Sequence, residues 1–170
     1  MPLLAPVVFG LWISLAAPPP DPDAPYPRVR AVAPLVRSLI TGAAARSITV
    51  RNLIARLDDT DVIVHVELTS SAQIPVARTK LVAAAAGVRF LRIGINAGVP
   101  FADITPLLAH ELQHAVEIAE EPGASSESGI RRLYQRIGRA RGGDRYETDA
   151  AQRVEWAVRR EMSRVTKIGG

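Results

Sequence analysis

Apolar residues recur along this chain at two spacings, and the switches between them divide it into elements. From 29 to 45, Val32, Leu35, Val36, Leu39 and Ile40 keep a helical period until Gly42 and a run of small residues close the stretch. Thr49 can cap a second short helix, 50–57, with Leu53, Ile54 and Leu57 inward. The spacing then drops to two. Across 61–68, Val62, Val64 and Val66 fall on one face and Ile63, His65 and Glu67 on the other, which predicts a strand. Residues 78–86 and 87–96 predict two more, in a three-stranded meander. The helical period returns at Asp103 or Thr105, either of which can cap, with Pro106 in the first turn. It holds through Leu107, Leu108, Leu112, Ala115 and Ile118 and stops at Pro122-Gly123. A polar linker at 121–128, an arginine-rich helix, a Gly142-Gly143 break and a last helix from 146 to about 165 complete an α+β order.

The helix after the sheet carries the chemistry. Residues 110–114 read His-Glu-Leu-Gln-His, and histidines four apart on a helix project from one face, about a turn apart. Two imidazoles at that spacing can reach one Zn²⁺ while the carboxylate of Glu111 takes a proton from a water at the metal's open position. The chain has three histidines, and two of them make this pair. A catalytic zinc wants a third protein ligand. Glu147, which the pattern puts in the first turn of the last helix, is the first candidate, followed by Asp149 and then by His65 in its strand. Glu117 lies on roughly the same face as His114 but one turn further along the same rod, which suits a supporting acid better than a ligand. Glu155 belongs to a charged face with Arg159 at i+4. Tyr134 and Tyr146 are the candidate oxyanion donors, since a phenol O–H can stabilise developing negative charge.

His110-Glu111-x-x-His114 followed by Glu147-x-x-Ala150 resembles the gluzincin group of zinc metallopeptidases, in which a glutamate on a second helix completes the site. The resemblance implies a zincin-like fold: a small three-stranded sheet packed against the HExxH helix and a downstream Glu-bearing helix. It also implies one Zn²⁺ on His110, His114 and Glu147, with Glu111 as general base, acting on a peptide or protein that lies extended along an edge strand. One position departs from the pattern. Where related families place an aspartate four residues after the ligand glutamate to orient a zinc-bound histidine, this chain has Ala151. Asp149, Asp144 and Glu117 are the candidates to replace it. A zinc-bearing binding or scaffold domain without turnover is the alternative, against which the retained Glu111 argues.

Composition changes this picture little. At 170 residues with 48% hydrophobic positions, the chain suits one domain, 29–165, with a short tail at 166–170. No cysteine is present, which excludes disulfides, thiolate ligands and a cysteine nucleophile. The net charge of +4 comes largely from arginine, concentrated at Arg131, Arg132, Arg136, Arg139, Arg141 and Arg145. That run lacks any recognisable nucleic-acid-binding module, so it reads as a solvated helix face and loop. Arg89 and Arg92, on a strand, read as facing water, the alternative being contact with acidic groups of a substrate. Residues 1–17 are nearly all apolar and end near Ser14-Leu15-Ala16, an acceptable small-x-small cleavage pattern; with the Pro-rich tether at 18–28 they read as an export signal, the alternative being an apolar membrane anchor.

Overall fold

Strand pairing begins before the first helix does. The computed structural model describes residues 25–72, 74, 76–141 and 146–168. Val29–Arg30 form β1, which pairs in parallel with Val64 and His65, so the helical reading of 29–45 is corrected at its start. The cause is Pro34. Its fixed φ and missing N–H suit the first position of a helix, while the residue before it, Ala33, is pushed to extended backbone (φ −70°, ψ 127°). Helix α1 therefore runs Pro34–Arg46, passing through Gly42. Ser47 rather than Thr49 caps α2 (Ile48–Asp58): its hydroxyl accepts from the Val50 N–H at 3.0 Å. Thr49 donates instead to Glu161, 2.6 Å away, tying α2 to the last helix.

The three-stranded meander is replaced by a four-stranded mixed sheet in the order β1-β2-β4-β3. Strand β2 (Val62–Thr69) lies parallel to β4 (Val88–Asn96), and β3 (Ala77–Ala85) runs antiparallel to β4 at the edge. The β3–β4 hairpin closes on Ala86 and Gly87, both with positive φ (50° and 75°), the requirement of a type I′ turn. Composition decides which of the two strands goes inside. Leu91, Ile93 and Ile95 are fully buried in β4, whereas β3 carries Arg78 and Lys80, charges suited to an edge. As expected, Val62, Val64 and Val66 bury one face of β2 and leave His65 on the other.

That buried face receives α3 (Phe101–Ala119), which starts a turn earlier than its capping residues suggest. Pro100 occupies the N-cap, with no side-chain cap, and Pro106 falls inside the helix. The ring deletes a single backbone bond, to the carbonyl of exposed Ala102. Leu108, Ala109, Leu112, Ala115 and Val116 are buried between the sheet, α2 and the last helix. Next, α4 (Glu127–Ile137) is capped by Ser126, whose hydroxyl accepts from Gly129 N–H. Gly129 packs so close to the Gly123 carbonyl that an added Cβ would sit 2.0 Å from its oxygen, so α4 is pinned to the turn that follows α3. A two-stranded ribbon, β5 (Arg139–Ala140) with β6 (Tyr146–Glu147), leads into α5 (Asp149–Ile168), which passes the expected end near 165. The apolar leader at 1–17, most of the tether, the Gly142-Gly143 break, Asp144 and Arg145 lie outside the described residues. Among the described residues, no helix is long and apolar enough to cross a membrane.

Candidate metal centre

Helical geometry alone puts His110 and His114 side by side on α3. Their ring centroids are 5.0 Å apart and the planes nearly perpendicular, at 74°. Glu147 reaches them from outside any helix, which corrects the reading that put it in the first turn of α5. Thr148 is the reason. Its hydroxyl accepts from the Ala151 N–H at 3.1 Å, an N-cap bond that starts the helix at Asp149 and leaves Glu147 as the last residue of β6. One ligand atom from each of His110, His114 and Glu147 lies within 4.8 Å of the other two, and the His110 Nε2 to Glu147 Oε1 distance is 3.4 Å.

The second nitrogen of each imidazole is held by a carboxylate. Glu155 lies 3.0 Å from His110 Nδ1, and Glu117 lies 2.9 Å from His114 Nδ1. A carboxylate on Nδ1 fixes the tautomer that leaves the Nε2 lone pair for a metal. Burial opposes charge on His114, but the hydrogen bond to Glu117 and the negative charges of Glu111, Glu117 and Glu147 outweigh it and raise its pKa. Burial likewise pushes the Glu117 carboxyl up, yet hydrogen bonds from His114, Thr148 (2.7 Å) and Gln113 bring it below its ordinary value.

The pattern of the sequence missed Glu155 as a partner of this group. The expected Arg159 contact exists, at 2.9 Å to Oε1, while the other carboxylate oxygen turns to His110. A signal was present: Ala151 and Val158 are fully buried, and Glu155 lies between them on the same helical stripe. The carboxylate on His110 Nδ1 thus comes from one turn beyond Ala151 along α5. Asp149 is exposed and paired with Arg139 at 3.1 Å, and His65 sits on the outer face of the sheet; neither joins the group.

Glu111, 6% exposed, points into the same space, where the Thr79 hydroxyl of β3 donates to its Oε2 at 2.6 Å. Thr79 is a second residue that periodicity did not single out. Tyr134 is buried edge-on to His114 with its O–H directed to the His114 carbonyl at 3.3 Å. Burial, with Glu117 and Glu111 nearby, holds its phenol protonated well above the usual range. Tyr146 stacks on Tyr134 at 5.7 Å and lines the cleft that opens over the group.

That cleft has a volume of about 640 Å³. Residues 77–81 of β3 form one wall, α3 the floor, and α4 with the β5–β6 ribbon the other wall. The arginine-rich run divides accordingly: Arg136 pairs with Glu121 and Arg139 with Asp149, whereas Arg131 and Arg141 stand on the cleft wall. Arg89 overturns the reading of a strand arginine facing water, because it is buried and bound to Asp61 and to the end of α3. No protein-family model, curated protein or solved structure matches this chain.

Proposed function

We propose that this chain is a zinc-dependent metallopeptidase of the gluzincin type, which hydrolyses peptide bonds in the cleft above α3. The observation that carries the reading is the convergence of His110, His114 and Glu147 beside the buried carboxylate of Glu111. The donor set fits the ion. Two neutral imidazoles and one carboxylate are a zinc ligand set that leaves a fourth position open, and the Nδ1 contacts to Glu155 and Glu117 are the supports such ligands need. When bound there, zinc supplies Lewis acidity, lowering the pKa of water and polarising a carbonyl.

The protein's own groups supply the rest. Glu111 accepts the proton of the attacking water and returns it to the leaving amine. Thr79 fixes one oxygen of that carboxylate, leaving the other for the water. Tyr146, which lines the cleft, donates to the developing oxyanion, since the Tyr134 O–H is already engaged with a backbone carbonyl. The edge strand β3 holds an extended peptide by backbone pairing.

Elemental analysis of the purified chain tests the centre directly. One zinc per chain is expected, lost in Glu147→Ala and kept in Asp149→Ala; a wild type that takes up no stoichiometric zinc under excess metal would sink the reading. The supporting carboxylates have a graded effect. Glu155→Ala and Glu117→Ala should each weaken zinc binding by about 10- to 100-fold in chelator competition. Because Glu117 raises the His114 pKa, protons compete with the metal up to a higher pH than for an ordinary imidazole. In Glu117→Gln the pH at which zinc is lost should therefore move down, while the affinity at alkaline pH falls. An unmoved pH midpoint would show that Glu117 does not set the proton affinity of His114.

A further inference from the structure

The walls of the cleft carry charge that the metal group does not use. The β3 segment that carries Arg78 and Lys80 lines one wall and Arg131 and Arg141 line the other, and among the described residues Glu127 is the one acid lining the cleft apart from Glu111 and Glu147. The backbone of β3 defines where a partner can lie. It is the edge strand, and no strand pairs with its outer side among the described residues. Its pairing with β4 is regular through Leu81 and then shifts between Leu81 and Ala83, a bulge that ends a straight pairing edge. The five residues before the bulge, 77–81, are the five that line the cleft.

Side-chain direction follows from the register. Thr79 turns inward to Glu111, so its neighbours Arg78 and Lys80 point to the other face, where Lys80 pairs with Arg92 and Arg92 with His65. A strand added along 77–81 would place alternate side chains beside Arg78 and Lys80 and the intervening ones towards Arg131 and Arg141.

We propose that this cleft selects an extended acidic peptide, paired over about five residues with the edge of β3 and carrying carboxylates at alternate positions beside Arg78 and Lys80. Opposite charges on cross-strand neighbours stabilise pairing, and like charges oppose it, so a basic peptide is rejected by the same residues. The peptidase reading supplies what happens to the peptide once bound; binding itself rests on the cleft alone.

The test uses the zinc-loaded 170-residue chain carrying Glu111→Gln, so that binding is measured without turnover. The probes are a fluorescein-labelled peptide alternating glutamate with alanine, its lysine counterpart, and unlabelled oligothymidine as competitor. The glutamate peptide is expected to bind at least about tenfold tighter than the lysine peptide, with affinity falling as salt rises. Arg78→Glu with Lys80→Glu should reverse the preference, a gain of lysine-peptide binding that a misfolded variant would not show. Equal affinity for the two peptides overturns the proposal. So does an unchanged preference after charge reversal, which would leave Arg78 and Lys80 as guards against edge-to-edge association. Oligothymidine displacing the glutamate peptide at equal charge concentration would mark a general polyanion surface and overturn it too. Cleavage of protein substrates by the wild type without acidic preference would defeat this proposal and leave the peptidase reading standing. Selective binding without any cleavage would do the reverse.

Discussion

Glu111→Gln should retain one zinc per chain and lose kcat on a protein substrate by about 10²- to 10⁴-fold, the usual contribution of a positioned general base. The substitution keeps shape and volume at a site that is 6% exposed, and the Thr79 hydroxyl can still donate to the amide oxygen, so packing and metal affinity have no reason to change. What the amide cannot do is accept the proton of the attacking water. The loss should therefore fall on kcat with KM little altered, the signature of an interaction made on the way to the transition state. Thr79 gives a finer control. Thr79→Val removes the 2.6 Å hydrogen bond while keeping a β-branched residue in a strand, and Thr79→Ser keeps the hydroxyl. A fall in kcat of about tenfold in the first, restored in the second, is expected for a residue that aims the carboxylate. Full turnover by a zinc-replete Glu111→Gln enzyme would remove Glu111 from the chemistry, and the peptidase proposal with it.

How much of this was legible in the sequence depended on how local each feature is. The α3 helix and the shared face of His110 and His114 follow from a period of 3.6 and needed no tertiary information. The element that carries Glu147 did not, because Thr148 competes with the helix that periodicity extends to residue 146, and its N-cap bond to Ala151 wins. Strand β1 was invisible for another reason. Two residues cannot display alternation, and Val29 is a strand residue only because β2 lies beside it. Sheet order was less legible: the type I′ turn at Ala86-Gly87 makes a hairpin, but alternation within either strand does not say which pairs with β2, and only the contrast of Leu91, Ile93 and Ile95 in β4 with Arg78 and Lys80 in β3 does. Glu155 illustrates the limit for the site. Its i+4 spacing to Arg159 is satisfied, which made a surface ion pair a sufficient account, although the carboxylate serves two partners at once.

Arg89 should prove the most sensitive single position for stability, with Arg89→Met costing about 3 kcal/mol or more. Nothing in its strand pattern announces this, since the partners come from 28 to 32 residues away in sequence. All five N–H donors of the guanidinium are used. Nε and one terminal nitrogen fork onto Asp61 at 2.8 and 2.6 Å, and the remaining donors reach the carbonyls of Ile118, Ala119 and Glu121 at 2.6 to 2.9 Å. Those carbonyls lie at or just past the C-terminal end of α3, whose last turn contains no basic residue of its own, so the sheet supplies the cation that the helix end requires. Methionine keeps the stem's packing but leaves that end uncapped; lysine keeps the charge but cannot fork onto a carboxylate while holding three carbonyls, so Arg89→Lys should recover only part of the loss. Urea denaturation of the metal-free chain measures both, and a difference below about 1 kcal/mol between Arg89→Met and wild type would show that the network is replaceable. Acid provides an independent check with a definite sign. Arg89 lowers the Asp61 pKa, so this pair stabilises the fold above the ordinary aspartate value and ceases to do so as pH falls through the depressed one. The gap between wild type and Arg89→Met should accordingly be constant near neutrality and narrow below about pH 4. Loss of this cap frays the end of the helix that presents His110, Glu111 and His114, so at temperatures where the variant is partly unfolded its zinc affinity should decline together with its stability, which a surface arginine could not produce.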